Sequence, residues 1–183
     1  MTILLAFAPF VIFAVINRIA GPFAGLIAGA VAALLLLARD WLTAGRSLKI
    51  LDIGSTIVFA ALVVYSFLAK PTWSVVGVRL CVDAGLLLIV LVSLAVGRPF
   101  TLQYAREQVR PELWDTADFK RTNYVITGVW ALAFAAMVIA EFVLLYVPAA
   151  PDRVGVLVII LALVGAVKFT GWYPEHVRTQ SIS

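Results

Sequence analysis

RPFTLQYAREQVRPELWDTADFKRTN, residues 98–123, is the one long polar stretch in a chain that is otherwise close to continuous hydrocarbon. It holds five of the fourteen Lys and Arg, and what flanks it decides the fold. Hydrophobic residues make up 63% of the 183, mean hydropathy is +1.07 and only 13% of residues are charged. Such a chain cannot present a polar exterior to water, so its solvent is lipid.

Punctuation between the apolar runs sets the expected topology. The first run is ILLAFAPFVIFAVI, residues 3–16, closed by Asn17 and Arg18. The second follows Gly21-Pro22 and runs to about Leu37, where Ala38-Arg39-Asp40 stops it. The others cover roughly 50–69, 75–97, 124–147 and 154–170. A bilayer core takes about 20 apolar residues as a helix. The expectation is an all-α polytopic membrane protein of about six spans in one compact bundle, a single domain over 1–183. Its first two spans are short, with a tight re-entrant hairpin over 3–37 as the alternative. A cleaved signal peptide is not expected, because no basic segment precedes residues 3–16 and no small-x-small site follows.

Charge sorting gives the expected orientation. With both termini in the cytoplasm, the inner segments hold Arg39, Arg46, Lys49, Arg98, Arg106, Arg110, Lys120, Arg121, Lys168 and Arg178. The outer turns hold only Arg18, Lys70 and Arg153, and this asymmetry is the positive-inside pattern. Trp73, Trp114, Tyr124, Trp130, Trp172 and Tyr173 fall near span ends, as an aromatic belt requires.

Residues 98–123 then form the largest cytoplasmic connector. Leu102, Ala105 and Val109 recur at helical spacing, and Arg106 and Arg110 lie a turn apart on another face. That reads as a short amphipathic helix lying at the interface and ended by Pro111. Glu107, Glu112, Asp115 and Asp118 nearly balance the basic residues, so a pure anionic-lipid clamp is not indicated. The readings are a solvated connector with interfacial anchoring, or a partner contact surface through Arg106, Arg110, Lys120 and Arg121. The connector has no His, Cys or Gly-rich phosphate cradle, which argues against catalysis.

Ionisable residues inside spans are the sharper clue. Arg79 and Asp83 are one turn apart on the fourth span, and Glu141 lies on the fifth, at matched depth in the outer half. A charge at membrane depth costs about 2.5–3.5 kcal/mol on insertion scales, so such residues are paired or functional. The trio is either an interhelical polar clip, a proton- or ion-coupled transport site, or a lipid-headgroup ligand. Asp52 and Lys168 read as ordinary interfacial residues. Gly21, Gly25 and Gly29 form a small-residue stripe for helix packing, within the chain or, as the alternative, across a homodimer. No cofactor or metal is expected: His176 is the sole histidine, which excludes a bis-His haem or a His-based zinc site in one chain. Cys81 is the sole cysteine, so no internal disulfide forms. The partners expected are the lipid bilayer and other membrane proteins, with no nucleic acid.

The opening FAPFVIFAVINRIAGPFAGLIAGAV, with its basic turn after the second span, resembles the bacterial intracellular septation protein A family. Trp114, Asn123 and Trp130 fall in the family's order across the inner loop and fifth span, and Arg79 stands where that family has a basic residue entering its fourth. The resemblance covers most of the chain as a pattern. It implies a non-catalytic scaffold or partner-binding role at the cell envelope or in division, in the bacterial inner membrane, and it carries over no active site. The alternative function is a small proton- or ion-coupled carrier using Asp83 and Glu141.

Overall fold

The computed structural model describes residues 2–43, 47–147 and 151–180. Arg46 and Pro148, and the side chain of Arg178, lie outside the described residues. The regular elements are all helical: α1 (Thr2–Ala6), α2 (Ala8–Ala20), α3 (Pro22–Leu42), α4 (Ile50–Ala69), α5 (Val75–Ala95), α6 (Phe100–Arg106), α7 (Ala117–Tyr146) and α8 (Asp152–Gln180), with a 3-10 turn at Pro111–Leu113. Five are long and apolar enough to cross a membrane: α3, α4, α5, α7 and α8 over Arg153–Val177. This is a multi-pass, all-helical membrane protein.

The expected first span is divided. Pro9 has no N–H to give and its ring crowds the carbonyl one turn back, so the helix breaks at Phe7 (φ −87°, ψ −3°). The 13 residues of α2 rise only about 20 Å, short of the ~30 Å hydrocarbon core. The second run is not short, since α3 continues for 21 residues through Arg39 and Asp40.

Contacts divide the chain into two units, Met1–Ile89 and Val90–Ser183. In the first, α2 turns back into α3 at Gly21, whose φ of +92° only glycine adopts without strain. A Cβ on Gly21 would meet nothing within 4 Å, so this glycine is a turn residue and not part of a packing stripe. The other two members do pack, both within the chain. A Cβ on Gly25 would stand 2.8 Å from the Asn17 Cα, and one on Gly29 would stand 2.5 Å from the Phe59 ring. Phe59 in turn meets Phe10 and Phe13, at centroid separations of 5.3 and 5.7 Å. The close approach bought by two glycines thus seats an aromatic cluster among α2, α3 and α4.

Between α4 and α5, Gly54 lies against Ile89 and Gly85 against Val58. Both contacts give one antiparallel register, which sets Asp83 level with Ala60, near the middle of the 20-residue α4. Asp83 therefore stands close to the middle of the α4–α5 pair, two residues from the centre of α5 on the side of the α4–α5 turn. The α4–α5 turn is closed by Lys70 in the left-handed region (φ 44°) and by Trp73, whose indole N–H donates to Ser66 Oγ at 2.8 Å.

In the second unit, the end of α5 is closed by a Schellman motif. Gly97 (φ +72°) donates to Leu94 O, and Arg98 N–H reaches Ser93 O at 2.9 Å. The Ser93 hydroxyl donates to Val90 O and accepts the Phe100 N–H, which ties α6 to the end of α5. The buried face of α7 runs Asn123, Ile126, Thr127, Trp130, Phe134, Met137, Glu141, at helical spacing. Trp130, expected in an aromatic belt, is instead 1% exposed, touches the rings of Phe100 and Phe134, and donates to Thr170 Oγ1 on α8 at 2.9 Å. Helix α8 extends ten residues past the expected end of the sixth span, through a ladder in which Phe169 stacks on Tyr173 and Trp172 on His176.

Replacing Gly29 by Val drives a side chain into the Phe59 ring. Its melting temperature in detergent should fall by several degrees, as expected for about 1–3 kcal/mol of overpacking. Gly21→Ala should also destabilise, through backbone strain alone. A Gly29→Val melt unchanged from wild type would refute the intramolecular contact.

Candidate functional site

The connector is folded onto α7 at its start, over α6, while most of 107–121 is exposed. α6 buries Phe100, Thr101, Leu102 and Tyr104, so its apolar side faces protein. The Thr101 hydroxyl donates to Asn123 O at 3.0 Å and lies 2.8 Å from the Thr127 hydroxyl, while Asn123 Nδ2 donates to Phe119 O. These bonds explain why a threonine can sit 3% exposed in an otherwise apolar contact. The amphipathic helix expected to run to Pro111 stops at Arg106, and it packs on α7 instead of lying free at an interface.

Past α6 the chain folds back on itself. The Arg106 guanidinium lies over the Trp114 ring, 5.4 Å from its centroid, and Trp114 Nε1 donates to Val109 O. The Thr116 side chain caps α7 by accepting the Phe119 N–H, so α7 begins at Ala117, about two turns earlier than expected, and carries Lys120 and Arg121 with it. Lys120 Nζ bonds Asp115 at 2.9 Å. Of the four basic residues expected on a contact surface, Arg106 and Lys120 are thus engaged within the connector. Arg110 and Arg121 are exposed and have no ion pair among the described residues; Arg98, not singled out from sequence, is in the same condition.

The intramembrane trio is divided between the units. Arg79 and Asp83 lie on α5 in the first, with Asp83 8% exposed; Glu141 lies on α7 in the second, 1% exposed and in line with Met137 and Phe134. Within its unit, Glu141 stands level with the Val158–Ile159 turn of α8, from the contacts of Trp130 with Thr170 and of Leu144 with Gly155.

Sequence reading missed a second charged cluster, at the facing ends of α3 and α4. Asp40 is fully buried; its Oδ1 accepts from Arg39 Nε and Nη2 at 2.9 and 2.7 Å, and its Oδ2 from Lys49 Nζ at 2.5 Å. Lys49 is itself 2% exposed, and Asp52, expected to be an ordinary interfacial residue, is buried a turn along. The signal was present: acid and base alternate through Arg39, Asp40, Lys49 and Asp52 beside two apolar helices, where a hairpin brings helix ends together. The cluster closes the α3–α4 hairpin, and its fully paired carboxylate suits a structural clip.

Among the described residues no group of His, Cys, Asp and Glu is arranged to hold a metal ion. No protein-family model, curated protein or solved structure matches the chain.

The Lys120 hydrogen bond, and then its charge, hold the Asp115 carboxyl below the usual carboxylate range. A depressed folded-state pKa means that this contact contributes above the ordinary Asp value and is lost as pH falls through the lowered one. Lys120→Ala should return the Asp115 titration toward the ordinary value, read from its side-chain carbon shift by NMR. An unchanged titration would rule out the pair.

Proposed function

We propose that this is a non-catalytic integral membrane protein that acts by contact, with the folded 98–123 connector as its docking surface for a membrane partner or lipid. The observation that carries the reading is the fate of the connector's charges. Its apolar side is spent on α7, two of its basic groups are held internally, and Arg98, Arg110 and Arg121 are left outward without an ion pair among the described residues. A mere linker has no need of a capped, hydrogen-bonded and ring-stacked fold. The cell-envelope or division-related role implied by resemblance to the septation protein A family accords with this, in a bacterial inner membrane.

In the proposed topology the α1–α2 segment makes a sixth, kinked crossing and both termini are cytoplasmic. Positive-inside sorting of Lys and Arg supports it, and so does length, since residues 2–20 rise about 28 Å together. A fluorescent reporter fused to the N-terminus should then lie in the cytoplasm; an external N-terminus would mean that α1–α2 dips in without crossing.

A second reading, a small proton- or ion-coupled carrier, draws on one observation: Asp83, a buried acid level with the middle of α4. The two separate by mutation. Gentle purification from native membranes, with mass spectrometry of what accompanies the protein, should show a component lost in Arg110→Glu/Arg121→Glu and kept in Asp83→Asn. The same retinue in wild type and the arginine variant would overturn the contact reading. A cellular phenotype of Asp83→Asn alone, with normal expression, would favour the carrier.

A further inference from the structure

Resting on the reading of the connector as a contact surface, we propose that Arg98 and Arg121, with the Tyr124 hydroxyl, hold the phosphate of an anionic phospholipid headgroup where α5 and α7 meet the bilayer boundary. Three features of the second unit place these groups together. The Schellman motif at Gly97 fixes the chain's exit from α5, with Arg98 as the next residue. A Cβ on Gly97 would stand 3.5 Å from the Tyr124 Oη, so that hydroxyl reaches the exit turn. Arg121 precedes Tyr124 by three residues on α7, which puts the two on one helix face. Arg98 and Arg121 are exposed, and neither has an ion pair among the described residues.

The surroundings favour a lipid over an acidic protein segment. Val92 and Val96, a turn apart near the end of α5, are 48% and 58% exposed and lead from Arg98 toward the hydrocarbon. Tyr124 is 41% exposed and brings an apolar ring and a polar tip to the same level, the placement of an interfacial aromatic. An acyl chain along Val92 and Val96 puts its phosphate within the reach of two guanidinium forks, each able to make paired N–H···O bonds to phosphate oxygens. Arg153 is also exposed, but it lies in the first turn of α8, which meets the far end of α7 from Arg121 through the contact of Gly155 with Leu144, and so serves as an internal control.

The test is native mass spectrometry of the intact protein in mild detergent, titrated with phosphatidylglycerol or with phosphatidylcholine of the same acyl chains. Wild type should retain phosphatidylglycerol preferentially. Arg98→Gln and Arg121→Gln should each weaken that retention, by about tenfold per lost charge-assisted contact. Arg153→Gln should leave it unchanged, and Arg98→Lys/Arg121→Lys should keep most of it. Because each single substitution is at an exposed side chain, the readout does not depend on how the double variant folds. Equal retention of the two lipids by wild type, or equal loss in Arg153→Gln and Arg98→Gln, overturns the proposal. If a protein companion still depends on Arg110 and Arg121 while lipid preference ignores Arg98 and Arg121, the docking reading stands and this lipid site falls.

Discussion

Inside a bilayer there is no water for a polar side chain to turn to, so each must find its partner in the chain or lie where the bilayer ends. The two units meet this constraint with different devices. In the first, Asp40 takes two bonds from Arg39 and one from Lys49, which puts a closed ionic clip at the α3–α4 hairpin. Away from the clip, the same helices are brought together by the apolar contact of Gly29 with Phe59 and its aromatic neighbours. Charge is gathered at the hairpin and hydrocarbon fills the middle, with Asp83 as the exception at mid-depth.

In the second unit the same constraint makes the connector fold. Thr101 can be buried only because its hydroxyl donates to Asn123 O and pairs with the Thr127 hydroxyl, and those groups are presented by the first turns of α7. Phe100 then reaches Trp130, whose indole N–H is satisfied by Thr170 on α8. A chain of contacts therefore runs from the connector through α7 to α8. Beyond it, where water is available, Arg106 lies on Trp114 and Lys120 meets Asp115. Surface pairs of this kind contribute little to stability, and their consequence is selective: they decide which basic groups stay outward.

How much of this was legible varied with the kind of signal. Hydropathy located α4 and α5 to within two residues at both ends, and one end each of α3, α7 and α8, because a run of 20 apolar residues has no other stable solution. It placed the start of α3 well and its end short, since Arg39 and Asp40 look like a stop until one sees that they are paired inside the fold. The break at Phe7 was implicit in Pro9, but a purely compositional reading passes over a single proline. Side-chain destinations were hardest. Trp130 at a span end and Trp130 in a core have the same sequence; only the partner on α8 tells them apart. Likewise, Gly21 and Gly25 look like one stripe, yet one is a turn and the other a close contact. For the connector, the amphipathic pattern was visible, but what its apolar side would meet was not.

The central claim is that the connector is a folded platform built onto α7. Amide hydrogen–deuterium exchange on the protein in detergent tests it most directly. The account predicts slow exchange over α6, comparable to the early turns of α7, with fast exchange confined to residues about the 3-10 turn. Uniformly fast exchange across 98–123 would contradict it, and would return those residues to the status of a solvated link between spans.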